Sequence, residues 1–265
     1  MSRLAADVQE MIGEQWQYRG LLYQMTYRDL LLRYKQTAMG FGWALAMPLV
    51  NTAVFSVIFM RVAPIETGMP YPLFAFIGLL AWNFLASALK FATNSLTSNS
   101  SLVTKIYFPR EVFPVSAVLV CVVDFFVAGL AVFGMMAYYR IGLHWTIVFL
   151  PVVVVVQVFF TIGAALLLSM ANLFYRDVKY IFEIALTVWM FLTSVVYPVG
   201  QVGGRLAKIM LWNPVTPIIE SYRDVLVRGQ LPGPAFAAAA VVSLVLFACA
   251  WLTFHRAEFQ FAERV

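Results

Sequence analysis

Charged residues are absent from long blocks of this chain. Five intervals contain no Asp, Glu, Lys or Arg, and a sixth contains a single acid, Asp124; they are 36–60, 67–89, 141–175, 184–204 and 229–255, with 112–139 as the sixth. A helix needs roughly 20 apolar residues to cross the hydrocarbon core of a bilayer. The pattern therefore predicts an all-α integral membrane protein with six transmembrane helices, at about 38–60, 70–90, 113–138, 146–173, 181–200 and 234–254.

The composition and the distribution of charge agree with this architecture. Of the 265 residues, 62% are hydrophobic and 12% are charged, whereas soluble domains are roughly half apolar and about a quarter charged. A single membrane domain is expected at 36–258, between an N-terminal arm at 1–35 and a tail at 259–265. With the N-terminus inside, 12 of the 18 basic residues fall in cytoplasmic segments. Both termini are therefore predicted to be cytoplasmic, and the net charge of +5 requires no nucleic-acid partner.

The residues before the first span favour an amphipathic helix. Aromatic and aliphatic side chains lie near one helical stripe, made up of Trp16, Tyr23, Tyr27, Leu30 and Tyr34. Trp and Tyr prefer the headgroup level, and the flanking Arg28 and Lys35 can reach lipid phosphates, which predicts a helix in the inner membrane interface. Because Leu21, Leu22 and Leu32 lie outside the stripe, a partner protein that covers them is the alternative to simple membrane anchoring.

Two polar residues lie within predicted spans. Asn51 follows Pro48 in the first span, which predicts a kink with a polar group available to a neighbouring helix or a pathway. A charged Asp124 near mid-bilayer would cost about 3 kcal/mol, so this residue is expected to face protein or a wet cavity. Asp124 either takes part in proton or ion coupling, or makes a hydrogen bond that packs helices together. No basic partner lies within the spans, and this favours the packing role.

The stretch KIYFPREVFP, residues 105–114, joins the second span to the third. The segment before it predicts a short amphipathic surface helix that ends near Phe108, because the residue before a proline is disfavoured in helical geometry. Pro114 fits the first turn of the third span, where its missing N–H costs nothing. Arg110 and Glu111 are then expected on a stiff cytoplasmic elbow, where they face water as a solvated pair or face a partner protein.

Residues 205–229 contain two apolar pieces, each too short to span, separated by NPVTP. Broken apolar segments are tolerated at membrane depth where protein or a water-filled cavity covers the freed backbone. The segment predicts a re-entrant helical hairpin that enters from the outer face before the sixth span. An outer loop with two surface helices is the alternative. The triplet Tyr222, Arg223 and Asp224 is interpreted as interface residues.

The sequence offers no energy source and no catalytic or metal site. A phosphate-binding P-loop requires Lys followed by Ser or Thr, and none of the five lysines is followed by either. No cluster of intramembrane carboxylates or histidines suits a metal-dependent lipid enzyme. Cys121 and Cys249 both lie inside predicted spans and are expected to be small core residues. The pattern favours a six-span permease without a cofactor of its own.

Four segments together resemble the permease subunits of type 2 ABC exporters. They are RDLLLRYKQTAMGFGWALAMPL, SLVTKIYFPREVFPVSAVLVCVVDF, NLFYRDVKYI and NPVTPIIESYRDVLVRG, and the resemblance runs from about residue 28 to the C-terminus. It is strongest for the branch that exports lipid-linked polysaccharides such as O antigen and capsule. The resemblance implies a homodimer of permeases in the bacterial inner membrane, driven by two copies of a separate subunit that binds ATP and Mg²⁺.

The resemblance also implies roles for particular residues. Those expected to take part in coupling to the ATPase are Arg28, Lys35, Lys105, Arg110, Glu111, Arg176 and Asp177. In the family, spans 1 and 5 line a pathway at the dimer interface, where aromatic side chains offer flat faces to sugar rings. The candidates are Phe55, Phe59, Trp189, Phe191 and Tyr197, with plain packing as the alternative for each.

Two other kinds of function stay open at this point. Within the family, the substrate is another glycopolymer, a lipid or a drug. Outside it, the chain is a proton-coupled secondary transporter that uses Asp124, or a membrane-embedded glycolipid enzyme. The enzyme would need catalytic carboxylates that the sequence barely supplies.

Overall fold

The computed structural model describes residues 13–35, 37–100, 102, 108–258 and 261. All regular secondary structure in these residues is helical. The main α-helices are α1 (Arg19–Tyr34), α2 (Gly42–Val57), α3 (Tyr71–Ser98), α4 (Val112–Tyr138), α5 (Leu150–Phe174), α6 (Val178–Phe191), α7 (Gly204–Trp212), α8 (Val215–Arg223) and α9 (Pro234–Ala257). Short helical turns extend them: π-helical turns at Ile58–Val62 after α2 and Asp224–Arg228 after α8, and a 3-10 turn at Trp145–Phe149 before α5.

Five helical segments of the described residues are long and apolar enough to cross a membrane. They are Gly42–Val62, Tyr71–Ser98, Val112–Tyr138, Trp145–Phe174 and Pro234–Ala257, which correspond to predicted spans 1 to 4 and 6. At the predicted fifth span, 181–200, helix α6 has 14 residues and ends at Phe191. Its length of about 21 Å is less than the roughly 30 Å of the hydrocarbon core. The multi-pass helical fold is confirmed, while the count of six spans stays a prediction.

Helix α3 lies at the centre of the fold, where 78% of its most apolar stretch is buried against α2, α4, α5 and α8. Helices in lipid gain little from the hydrophobic effect, so close packing and interhelical hydrogen bonds hold them together. The Gln157 amide of α5 donates to the Ala81 carbonyl of α3 (2.7 Å) and accepts from the Tyr222 hydroxyl of α8 (2.6 Å). Helix α5 also approaches α9 closely, because a Cβ at Gly163 would lie 2.9 Å from the backbone nitrogen of Phe247.

Among the described residues, α2 and α6 are two of the helices that leave broad apolar faces exposed. Only 11% of the most apolar stretch of Gly42–Val62 is buried. Its exposed side chains include Met47, Val50, Val54 and Val57, and those of α6 include Ile181, Ile184, Val188 and Phe191. These faces are available to lipid or to another protein chain.

Helix α1 packs on α4 and presents two different faces. Tyr23 and Tyr27 are exposed, whereas Leu21 and Leu22 pack against a buried cluster that contains Phe113. Two of the three leucines outside the predicted stripe are therefore covered by the chain itself and need no partner protein. Of the aromatic stripe, Trp16, Tyr23 and Tyr27 are exposed and can meet a membrane interface, whereas Tyr34 turns inward and donates to Asp124.

The two cysteines differ in their surroundings. Cys121 is buried in α4, whereas Cys249 is exposed on α9. The expectation that both are core residues is confirmed for Cys121 and wrong for Cys249. The sequence position within a span does not distinguish a buried cysteine from an exposed one, because one face of a span packs against the protein and another faces outward.

Candidate functional site

A cavity of about 440 Å³ with both polar and apolar walls lies where the end of α1 meets α2, α3 and α4. Its polar lining consists of Arg33, Tyr34, Thr37, Asn51, Asn83, Ser87 and Asp124, and its apolar lining includes Trp43, Met47 and Phe125. Asn51 is exposed on this wall. Both intramembrane polar residues singled out from the sequence, Asn51 and Asp124, therefore line the same cavity.

Asp124 is held by two side chains from α1. The Arg33 guanidinium and the Tyr34 hydroxyl each donate a hydrogen bond to its carboxylate. The Arg33 guanidinium also lies 4.2 Å from the centre of the Phe91 ring. Burial and the bond to Asp124 raise the pKa of Tyr34, so its hydroxyl remains a donor. The sequence showed no basic partner for Asp124 within the spans, because the partner comes from the helix that precedes them.

A second polar site surrounds Arg223 of α8, whose side chain is fully buried. Its guanidinium donates to the carbonyls of Ser194 (2.8 Å) and Val195 (2.7 Å). It also donates to the carbonyl of Phe74 (3.1 Å) and pairs with Glu220 Oε1 at 2.6 Å. A buried charge requires pairing of this kind. The interpretation of Arg223 as an interface residue is wrong, since it fastens α8 to α3 and to the chain after α6.

Asn213, in the NPVTP break between the two apolar pieces of residues 205–229, contacts the chain around the end of α6. The Asn213 side chain accepts from the backbone N–H of Val215 (3.1 Å) and from the Trp189 indole (3.2 Å). Its amide donates to the Leu192 carbonyl (3.0 Å) and the Thr193 hydroxyl (2.7 Å). Helix α8 is largely buried among α3, α5 and α9, whereas most of α7 is exposed. Both apolar pieces are helices, as predicted, and one of them is inserted into the helical core.

The elbow carries a buried carboxylate. Glu111, directly before α4, is fully buried, and its Oε1 accepts from the Gln15 amide (2.6 Å) and the Trp251 indole (2.8 Å). Arg110 donates to the backbone carbonyl of Glu258. Burial and the nearby Glu111 raise the pKa of Glu258 to about 7. The expectation of a solvated pair is wrong for Glu111, because its carboxylate binds the chain's own N-terminal and C-terminal segments.

The turn between α5 and α6 presents Arg176 and Asp177, both exposed. It borders a polar cleft of about 320 Å³ whose lining includes Asn94, Thr97, Ser100, Asn172, Arg176 and Lys179. Asn172 holds the turn, because its side chain donates to the Thr93 carbonyl (2.9 Å) and accepts from the Lys179 backbone N–H (3.3 Å). Charged groups are thus accessible at a polar cleft on the side predicted to be cytoplasmic.

The remaining residues expected to meet an ATPase have other surroundings. Lys35 is exposed at the end of α1. Arg28 pairs with the Asp29 carboxylate at 2.7 Å and donates to the Asn99 side chain at 3.2 Å. Lys105 and most of the predicted surface helix lie outside the described residues.

The aromatic candidates for the pathway fall into different environments. Phe55 and Phe59 stack with ring centres 6.3 Å apart, on α2 and its π-helical turn. The Tyr197 hydroxyl donates to the carbonyl of Phe191, whose ring is 48% exposed. Trp189 instead packs edge-on against the tryptophan of α3, with 5.8 Å between ring centres. Its surroundings support the packing alternative.

The sequence matches a known family over most of its length. A family model described as ABC-2 type transporter matches residues 20–227. The chain belongs to this family. In this ABC-2 transporter the matched region begins in α1 and ends in the π-helical turn after α8, while α9 lies beyond it. The region contains Arg223 and every residue that lines the cavity beside Asp124.

Named proteins similar to this ABC-2 transporter share its length. The chain is 31% identical over 262 residues to the O-antigen export system permease protein RfbA of Myxococcus xanthus, over 96% of this chain and 99% of that protein. Two proteins of the same name from Klebsiella pneumoniae are 30% and 29% identical over 252 residues, covering 92% of this chain and 94% of each protein. Because the first match covers 96% of this chain, the similarity continues beyond residue 227 into α9.

Proposed function

We propose that this ABC-2 transporter is the membrane-spanning permease of an exporter that carries a lipid-linked polysaccharide, of the O-antigen or capsule kind, across the bacterial inner membrane. The observation that carries the proposal is the similarity of 29% to 31%, over nearly the whole chain, to proteins named O-antigen export permeases. ATP hydrolysis is assigned to a separate subunit, because no lysine of this chain is followed by the Ser or Thr of a P-loop.

The proposed topology has six spans with both termini in the cytoplasm. Helix α6 and the chain after it form the fifth crossing, α7 and α8 form a re-entrant hairpin on the outer side, and α1 lies among lipid headgroups at the inner interface. The exposed tyrosines of α1 support the interfacial position. The burial of α8 among three other helices supports the hairpin, because backbone at membrane depth must be covered by protein.

The proposed exporter contains two copies of the permease and two of the ATPase. The uncovered apolar faces of α2 and α6 support a permease homodimer, since large exposed apolar patches mark membrane or protein contacts. The pathway runs between the two copies, where Phe55, Phe59, Phe191 and Tyr197 offer ring faces to the sugar. Trp189 is assigned to packing.

The ATPase is proposed to dock on the cytoplasmic cleft beside Arg176 and Asp177, together with Lys35 and the segment around Lys105. The exposure of the first three residues supports this assignment. The coupling residues Arg28 and Arg110 bind the chain's own residues and position the docking surface from within. Glu111 is assigned the same internal role.

Export in cells that lack this chain tests the proposal. Such cells should lose the surface polysaccharide and accumulate lipid-linked polymer inside, and the wild-type chain should restore export. The purified chain alone should hydrolyse no ATP, whereas it should copurify with an ATPase when the two are coexpressed. Normal surface polysaccharide without the chain, or ATP turnover by the isolated chain, would contradict the proposal.

A further inference from the structure

A histidine and three carboxylates meet where the N-terminal segment reaches the end of α9. Glu14, His255 and Glu258 each bring one ligand atom to within 4.8 Å of the others. His255 Nδ1 lies 3.8 Å from Glu258 Oε1 and 4.0 Å from Glu14 Oε2. Glu111 and Glu14 are both close enough to Glu258 to repel its charge. The cluster therefore concentrates negative charge in a largely buried volume.

His255 supplies the observation that points to a ligand. Its side chain is 8% exposed, and its Nδ1 has no hydrogen-bond partner among the described residues. The two nearest carboxylate oxygens, at 3.8 and 4.0 Å, are too distant for a hydrogen bond. In the same part of the structure, Oε2 of Glu258 and Oε2 of Glu111 are buried without such a partner. A buried polar atom without a hydrogen-bond partner costs free energy of folding, so a cation bound between these atoms would stabilise the folded chain.

We propose that this cluster binds a divalent transition-metal cation, with His255 Nδ1 and the carboxylates of Glu14 and Glu258 as ligands. Zn²⁺ takes imidazole nitrogen and carboxylate oxygen at about 2.0–2.2 Å, which separates tetrahedral ligand atoms by about 3.4 Å. His255 Nδ1 is 3.8 and 4.0 Å from the two carboxylate oxygens, and those oxygens lie within 4.8 Å of each other, so the side chains would rotate inward to bind the ion. A cation also offsets the repulsion among the carboxylates. The imidazole favours Zn²⁺ over Mg²⁺, Ca²⁺ and Mn²⁺, which prefer oxygen ligands.

The ion fastens parts of the chain that are distant in sequence. Glu14 belongs to the segment before α1, and His255 and Glu258 belong to the end of α9. The neighbouring Glu111 connects the site to the elbow through the Gln15 amide, next to Glu14. Because a ligand that binds only the folded state stabilises it, the ion holds the two terminal segments and the elbow together. This structural role is independent of the exported substrate.

Metal content and thermal unfolding of the full-length chain, purified in detergent, test the proposal. After treatment with a chelator, the chain should bind about one equivalent of Zn²⁺, and its unfolding midpoint should rise by several degrees. Mg²⁺ at the same concentration should leave the midpoint unchanged. His255→Gln should reduce the bound metal at least tenfold, whereas His144→Gln, at the only other histidine of the chain, should bind as the wild type does.

Two results would overturn the site. The first is a wild-type chain that does not bind Zn²⁺ and keeps the same unfolding midpoint in its presence. The second is equal metal binding by His255→Gln and His144→Gln. If His255→Gln does not fold, Glu258→Gln replaces it, because this change keeps the size of the side chain and removes a buried charge. A folded Glu258→Gln chain with undiminished Zn²⁺ binding would exclude the proposed ligand set.

Discussion

The Arg33 guanidinium of α1 donates a hydrogen bond to the Asp124 carboxylate of α4, so a charge pair ties the helix before the first span to the third span. The two side chains are 25% and 19% exposed. Removing one partner of a largely buried pair leaves the other charge uncompensated, at a cost of about 3–5 kcal/mol. Since Arg33 already neutralises the carboxylate, the pair favours a structural role for Asp124 over a role as proton carrier.

The first prediction compares the two sides of this pair. Asp124→Asn keeps one of the two oxygens that accept from Arg33 and Tyr34 but leaves the Arg33 charge without its counter-charge, so it should lower stability while the folded chain exports close to the wild-type level. Arg33→Ala strands the Asp124 charge and should lower the stability of the chain by about 3 kcal/mol. The double variant Arg33→Ala with Asp124→Asn should recover part of that loss. Thermal unfolding and surface polysaccharide are the measurements. Loss of export in a normally folded Asp124→Asn chain would instead support proton coupling.

The second prediction concerns the close contact between Gly78 and the Arg223 site. A Cβ at Gly78 would lie 2.2 Å from the Val195 carbonyl oxygen and 2.4 Å from an Arg223 nitrogen, so something must shift. Gly78→Ala should therefore abolish or strongly reduce the folded chain. Gly134→Ala is the matched control, since a Cβ there meets nothing within 4 Å and alanine favours a helix by roughly 1 kcal/mol over glycine. Equal folded yields of the two variants would show that the Gly78 contact is not required.

The third prediction separates pathway aromatics from packing aromatics. Phe191→Ala removes a ring that is 48% exposed, so it should reduce polysaccharide export while thermal stability and ATP hydrolysis by the complex change little. Trp189→Ala removes the contact with the tryptophan of α3 and the hydrogen bond to Asn213. Replacing a fully buried Trp by Ala costs about 3–5 kcal/mol. Trp189 is partly buried against the core, so the loss should be a part of that amount, and stability and export should fall together. If both variants lost export alone, or both lost stability together with export, the assignment of Phe191 to the pathway and Trp189 to packing would be wrong.

The fourth prediction contrasts a buried acid with an exposed one. Glu111→Arg replaces a fully buried carboxylate with a cation and removes the acceptor for the Gln15 amide and the Trp251 indole. The folded chain should therefore be lost. Reversing the two exposed charges, as Arg176→Glu with Asp177→Arg, should leave insertion and stability normal, because interactions of exposed charges contribute no more than about 1 kcal/mol. Export should nevertheless fall, with weaker copurification of the ATPase.

Two measurements decide the fourth prediction. Chain levels in the membrane report folding, and crosslinking from a cysteine at position 177 to the ATPase reports contact. Normal levels of Glu111→Arg would show that the site tolerates a cation. Full export by the variant with reversed charges, together with no crosslink from position 177, would show that this turn is solvated and does not contact the ATPase.

The sequence by itself determined the membrane class, the helical fold and the position of most spans. It could do so because these properties are local. A block of roughly 20 uncharged apolar residues has few alternatives to a helix in lipid, where every backbone polar group must be satisfied within the segment. The same local rules placed a break at NPVTP, and α7 and α8 are found on either side of it.

Only the tertiary structure decided which side chains meet. Arg33 and Asp124 are 91 residues apart, and no local pattern encodes a partner at that distance. Local rules also placed Glu111 in water, because a charge between two prolines at a helix end is normally solvated. Its burial depends on Gln15 and Trp251, which come from opposite ends of the chain and reach it only when α1 and α9 are packed in place.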